Sequence, residues 1–341
     1  MAVVVLLLAS SLAPAAEPAP QDVLPAGLEQ AIDRGLFFLE KQQKIDGSFE
    51  AGGPPNAMAA LAVLAFLSSG HAPDLGEHGL AVRNAVDYLV NVNTDNGYFG
   101  RDGGRMYSHC LVTIALSQVY GIESDEVQRR KLRLALDRAL KVILAAQEVR
   151  KDRNNVGGWR YEPDSTDSDL SVTTWCILAL HACRDAGLAV PRERLERARS
   201  YVLSCYRPQE GGFAYAWGAH ATSSMTGAAI ADLCLLDAAD SDEAVFASRY
   251  LMDKPVREDT RHFYCALFYA ALGGFEIQED AWPAVWKNAY QQLLRKQRPD
   301  GSWPRGQNDP GNDDKAGRFY STAMSLVTLS IPLHMLPLYE K

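Results

Sequence analysis

Apolar residues fall along this chain in two kinds of segment that alternate. In the first kind they recur every three or four positions and leave one face polar, as in Ala31 to Gln42, Ala85 to Val92, Leu132 to Gln147, Leu195 to Cys205 and Trp286 to Gln297. Arg129, Arg133 and Arg138 keep one side of such a segment wet, so each reads as an amphipathic helix. In the second kind nearly every position is apolar: Ala57 to Leu67, Leu111 to Val119, Val172 to Ala182, Gly227 to Leu236, Tyr264 to Leu272 and Ala323 to Ile331. A helix with no polar stripe must be covered on most of its sides. The alternation therefore predicts about six helical hairpins, with amphipathic helices forming an outer ring and apolar helices an inner one. An open solenoid is the competing geometry, since stacked helix pairs also share a core. Six units in a short chain favour closure, and the expected fold is an all-α (α/α)6 toroid over residues 28–341.

The segments are joined by recurring punctuation. A helix ends near a Gln, a loop follows with a Gly and an aromatic residue, and a very apolar helix begins. The loops read Gln43-Lys-Ile-Asp-Gly47-Ser-Phe49, Asp95-Asn-Gly97-Tyr-Phe99, Gly157-Gly158-Trp159, Gly211-Gly212-Phe213 and Gln297-Arg-Pro-Asp-Gly301-Ser-Trp303. Such regularity at intervals of roughly 50 to 60 residues marks a repeat architecture. The longer gap before Gly301 holds a further helix pair without the signature. Because each loop precedes an inner helix, the loops are expected to gather at one end of the barrel. That mouth also collects helix N-termini, whose unpaired N–H groups and partial positive charge favour anions.

Composition narrows the partners. With 341 residues, 47% of them hydrophobic, the chain can bury a sizeable core, and its net charge of −8 is spread without any Lys/Arg block. That charge argues against nucleic acid as a ligand, because nothing would neutralise phosphates. No basic amphipathic stretch suits an anionic lipid surface. Val3 to Leu8 followed by Ala13-Pro14-Ala15 resembles an export signal with a small-residue cleavage site, although no Lys or Arg precedes the apolar run. The expected organisation is a signal peptide at 1–16, a linker at 17–27 and the toroid at 28–341, secreted or periplasmic. No later apolar run reaches the ~20 residues of a membrane span. Five of the six cysteines (Cys110, Cys176, Cys183, Cys234 and Cys265) sit inside apolar helical runs and Cys205 ends one, which reads as core thiols rather than a disulfide framework.

Gln43-x-x-x-Gly47-x-Phe49 and Gln297-x-x-x-Gly301-x-Trp303 resemble the Q-x-x-x-G-x-W repeat of squalene-hopene cyclases and their relatives. The likeness spans nearly the whole chain after the signal. The wider superfamily of toroids includes protein prenyltransferase β subunits and complement thioester domains, and it implies an (α/α)6 barrel. Class II terpene cyclases carry D-x-D-D-T, whose middle Asp donates a proton. Here Asp167-Ser168-Asp169-Leu170-Ser171 precedes the third inner helix, so the resemblance puts Asp169 in the donor's place and Asp167 beside it. Leu170 replaces the next Asp. To hold its proton at pH 7, a carboxyl of ordinary pKa about 3.9 must rise by about 3, roughly 4 kcal/mol. Burial or a neighbouring carboxylate can supply that. The alternative role for Asp167 and Ser171 is helix capping. The resemblance implies cyclases of about twice this length with a second barrel, and no second barrel is expected in these 341 residues.

The other activities of the superfamily find less support. The zinc-binding D-F-Y-H-T stretch of prenyltransferases resembles Arg318-Phe319-Tyr320-Ser321-Thr322, in which Ser321 stands at the histidine ligand. Asp232-Leu233-Cys234 spells a D-x-C pair but lies well inside an apolar helix, so no zinc site is expected. A Gly-Cys-Gly-Glu-Gln thioester segment is absent.

Tyr107, His109, Trp175, His220, His262, Tyr264 and Tyr320 stand at or near the starts of inner helices. They could line a cavity for an apolar, isoprenoid-type ligand, with Asp169 and the histidines as polar fixtures, or plug the barrel end as core. Asn308-Asp309-Pro-Gly-Asn312-Asp313-Asp314 is oxygen-rich but lacks the ordered spacing of a calcium loop. No metal or cofactor is expected. Two functions follow: a non-catalytic toroid that holds a hydrophobic ligand or protein partner at its mouth, and a small cyclase-like enzyme with Asp169 as proton donor. A carbohydrate-active enzyme using Asp167 and Asp169 with Asp313 and Asp314 is a distant third.

Overall fold

The computed structural model describes residues 24–49, 51–92, 96–277, 280–306 and 312–336, with the side chains of 312–316 left aside. The expected signal peptide, most of the linker and most of the oxygen-rich loop lie outside the described residues.

Outer and inner helices alternate as the hydrophobic pattern predicts. The outer set is α1 (Leu28–Glu40), α3 (Gly79–Asn91), α5 (Glu126–Glu148), α7 (Arg192–Ser204), α9 (Asp242–Asp253) and α11 (Ala281–Lys296). The inner set is α2 (Pro55–Ser68), α4 (Arg105–Ile122), α6 (Leu170–Asp185), α8 (Ser223–Leu235), α10 (Phe263–Ile277) and α12 (Asn312–Leu329), which kinks at Gly317. Each outer helix buries one stripe, such as Leu132, Leu136, Leu140 and Ile143 of α5. The inner helices pack in the order α2, α4, α6, α8, α10, α12, and α12 returns to α2 and α1, so the ring is closed. At the tightest crossing Gly227 of α8 faces Gly273 and Ala270 of α10, where a Cβ on Gly227 would come within 2.6 Å of the Ala270 Cα. Among the described residues strand is confined to β1 (Tyr206–Arg207) and β2 (Gly212–Phe213), an antiparallel pair in one loop.

A shared clamp holds each Gly-aromatic loop. Gly47, Gly97, Gly157, Gly211 and Gly301 all have φ between 72° and 94°, a turn that other residues adopt at a cost. Where the Gln is present, its amide grips two carbonyls. Gln43 donates to Gly47 and Ala81, Gln147 to Gly157 and Arg194, and Gln297 to Gly301 and Ala31. The second carbonyl always belongs to the next outer helix. For Gln297 that helix is α1, reached across the closure of the ring at 2.7 Å. The aromatic that follows is buried, and its N–H is taken by an inner-helix side chain: Thr173 for Trp159, Thr226 for Phe213, Thr322 for Trp303, each at 3.0 Å, and His109 for Phe99 at 3.3 Å. Trp159 and Trp303 also donate their indole N–H to Ile143 and Leu293 of the outer helices, both at 2.8 Å.

Candidate functional site

The loops do gather at one end, and each lies over the start of the inner helix before it. Asp102 and Phe99 hold Asn56 of α2, the Tyr161 carbonyl takes the Met106 N–H of α4, and the Tyr215 carbonyl takes the Leu170 N–H of α6. Further on, the Tyr264 hydroxyl donates to the Pro304 carbonyl at 2.6 Å. In α2, α4 and α6 a first-turn N–H that the sequence leaves open for an anion is thus taken by the next loop. Below the mouth the ring is filled. Through their middle turns the inner helices are buried on every side, as in Ala57–Ser68 of α2 and Val172–Leu180 of α6.

Chemistry concentrates where the third and fourth loops meet α4 and α6. Asp169 is the N-cap of α6 and is fully buried. Its Oδ1 accepts the Val172 N–H at 2.8 Å, and its Oδ2 accepts from the Arg160 guanidinium at 2.6 Å. Arg160 also donates its Nε–H to Asp167 at 3.0 Å and an N–H to the Tyr215 hydroxyl at 2.6 Å. The guanidinium therefore bridges both carboxylates of Asp167-Ser168-Asp169. It lies over the Tyr161 ring, 4.3 Å from the centroid, and 5.6 Å from that of Tyr215, and the two tyrosine hydroxyls meet at 2.7 Å. Burial pushes the Asp169 carboxyl above its ordinary value, while the Val172 N–H and the guanidinium pull it back. Both oxygens are used as acceptors, an arrangement that suits the ionised form. On the guanidinium burial opposes the charge, but the Asp169 carboxylate more than offsets it and holds Arg160 above its usual range.

The sequence-derived residues do not gather in one place. Tyr107 belongs to the cluster: its hydroxyl donates to Ser171 at 3.1 Å, and Ser171 lies 3.3 Å from the Tyr269 hydroxyl. Trp175 lies deeper, stacked on Phe268 at 5.6 Å and tilted 50° to Tyr269. His109 faces outward from α4 toward α5, accepting from the Phe99 N–H and bonding the Ala139 carbonyl at 3.1 Å, which fixes its proton on Nε2. Burial depresses it to about 4, and its role is that of the clamp threonines. His220 is a surface residue with a 95% exposed side chain against Glu210. His262, with φ 54°, comes just before α10, Tyr264 lies in the first turn of α10, and Tyr320 follows the Gly317 kink of α12 instead of standing at the start of that helix.

Sequence reasoning passes over Arg160, Tyr161, Tyr215 and Tyr269. One signal was available: Trp159-x-Tyr161 and Phe213-x-Tyr215 place a tyrosine two positions after the clamp aromatic in just these two loops. A second buried acid, Asp232 of α8, lies away from the mouth. Its Oδ2 is 2.7 Å from the Thr174 hydroxyl, which is also 2.9 Å from the Leu170 carbonyl. One hydroxyl hydrogen cannot serve both acceptors. Both contacts are met only when the carbonyl takes that hydrogen and a protonated Asp232 donates to the Thr174 oxygen in place of accepting from it. Burial pushes its carboxyl well above the ordinary range, as that pattern requires.

The sequence matches the prenyltransferase alpha-alpha toroid domain over residues 29–258 and 167–338, which together span most of the chain. The chain belongs to this family. Solved structures repeat the ring. A type II terpene cyclase, MstE from Scytonema, is 15% identical with a TM-score of 0.59, over 91% of this toroid and 98% of the cyclase. A glycosidase variant in complex with glucose is 14% identical with a TM-score of 0.58, over 92% and 98% of the two chains. A protein from Actinoplanes is 19% identical with a TM-score of 0.56, over 89% and 98%. No curated protein matches the sequence. At such identities the likeness is one of fold. Among the described residues no group of three or more His, Cys, Asp or Glu could hold a metal ion, and no helix of this toroid is long and apolar enough to cross a membrane.

Proposed function

We propose that this toroid is an exported, non-catalytic binding protein that receives a hydrophobic, isoprenoid-type ligand at its mouth. The observation that carries the reading is the occupation of Asp169: its two oxygens accept from the Val172 N–H and from Arg160, so the carboxyl has no free proton to give an alkene. The filled ring supports the same reading, since a folded polyprenyl chain would need a cavity among inner helices that are buried through their middle turns. At the mouth, half-buried Tyr107, Tyr161 and Tyr215 offer flat apolar faces with polar edges, and Trp217 of the same loop as Tyr215 is 70% exposed. Terpene cyclases of this fold include one solved with geranylgeranyl dihydroxybenzoate as substrate, which favours an isoprenoid over other apolar ligands.

The test is an incubation of the protein with squalene and linear polyprenyl compounds, analysed by mass spectrometry beside Asp169→Asn. Lipid that co-purifies unchanged with both proteins is the expected result. Cyclised product that disappears in Asp169→Asn would instead establish catalysis. If no lipid is retained, the mouth is left to a protein partner.

A further inference from the structure

Cys110 of α4 and Cys176 of α6 place their Sγ atoms 3.3 Å apart, and both residues are fully buried. The two helices belong to successive repeats and run alongside each other in the inner ring. The contact is no isolated approach. Two turns further along, Ser117 of α4 meets Cys183 of α6 at 3.7 Å, with the same separation of 66 residues in sequence. Small side chains thus face one another in register down this seam, and at one level both are thiols. A disulfide has its sulfurs about 2.05 Å apart. Closing the remaining gap takes little more than 1 Å, within reach of side-chain torsion in a seam already in contact.

We propose that Cys110 and Cys176 form a disulfide that cross-links the inner helices of the second and third repeats when the chain folds in an oxidising medium. Each thiol gives up its proton and the two sulfurs form the new S–S bond. The two electrons released pass to an incoming disulfide, either oxidised glutathione or the disulfide of a thiol oxidoreductase, which leaves as two thiols. Burial, reinforced by contact with Cys110, pushes the Cys176 thiol well above its ordinary value, so its thiolate is scarce once the seam has closed. The exchange therefore belongs to folding, before α4 and α6 seal. The bond lies below the contact between Tyr107 and Ser171, on the same two helices, and would fix the part of the ring that carries Arg160 and Asp169.

The experiment is oxidative refolding of the whole chain in a glutathione redox buffer, then denaturation, alkylation and peptide mapping without reductant. The expected result is one linked peptide pair joining Cys110 to Cys176, with the other four of the six cysteines alkylated. Adding oxidised glutathione to protein already folded with its thiols reduced should produce that pair far more slowly. Cys110→Ser should abolish the pair and Cys183→Ser should keep it. Six alkylated cysteines after oxidative refolding, or a linked pair joining other positions, would overturn the proposal. The mapping of the unsubstituted chain decides even if a serine variant fails to fold.

Discussion

The third and sixth repeats are built on one plan and part company one turn before the clamp threonine. In both, a glutamine grips the loop glycine, a buried tryptophan donates to the outer helix, and a threonine takes the tryptophan N–H. One turn before that threonine the third repeat has Asp169 and the sixth has Arg318. Asp169 is fully buried and is drawn into a network with Arg160 and Tyr215. Arg318 is 42% exposed and pairs with Asp300 at 2.6 Å, itself 48% exposed. The clamp is therefore scaffold, and the position just before it is where a repeat can acquire chemistry. Class II cyclase-like spelling at Asp167-Ser168-Asp169 marks that position, where the carboxyl is paired with Arg160.

The equivalence of the clamps can be broken by truncation. Trp159→Ala and Trp303→Ala should each cost about 3–5 kcal/mol in urea unfolding, the usual range for emptying a buried aromatic site. A much smaller cost at Trp159 would mean that its loop is held by the Arg160 network and not by the clamp. The divergence is sharpened by the ion pairs. Asp169→Asn leaves a guanidinium without its buried partner and should cost on the order of 3 kcal/mol. Arg318→Gln removes an exposed pair, worth about 1 kcal/mol or less in the same measurement. Equal costs would remove the distinction between the two repeats.

A subtler contrast sets Asp169, which has a cation, against Asp232, which has none. Burial favours the protonated Asp232 in the fold, whereas in the unfolded chain it ionises above about pH 3.9. Its contribution to stability is fully present below that value and is lost as pH rises toward its elevated folded pKa. Asp232→Asn keeps the hydrogen bond to Thr174 without that loss. Relative to the unsubstituted protein it should gain about 1.4 kcal/mol of stability per pH unit between pH 5 and 6. A difference that does not change with pH would show that Asp232 is ionised in the fold.

The ring itself was legible because burial imposes it on composition. Inner helices such as Ala57–Leu67 carry no polar stripe, and the loop glycines must adopt positive φ wherever the turn recurs. Ends were less legible: α3 begins at Gly79 and α4 at Arg105, both earlier than the runs read from the sequence, and in α4 the first turn mixes Arg105 and Ser108 with Met106, whose N–H the next loop takes. Among the site residues, Asp169 and Tyr107 could be read from position relative to an inner helix. Arg160, Tyr161 and Tyr215 could not, since their meeting depends on how two loops from successive repeats fold across α4 and α6. His109 shows the converse. Placed at a helix start it looks like a ligand, yet the helix turns it toward α5, where it does a threonine's work.

The bond from Gln297 to Ala31 has a mechanical meaning. A stacked array of helix pairs frays from its two terminal units, which have a neighbour on one side only. In this ring the last loop grips the first helix with the same amide that joins the inner repeats, so the joint between α11 and α1 is one more seam among equals. Strain introduced at any repeat is shared in both directions around the circle, and no unit serves as the place where unwinding starts.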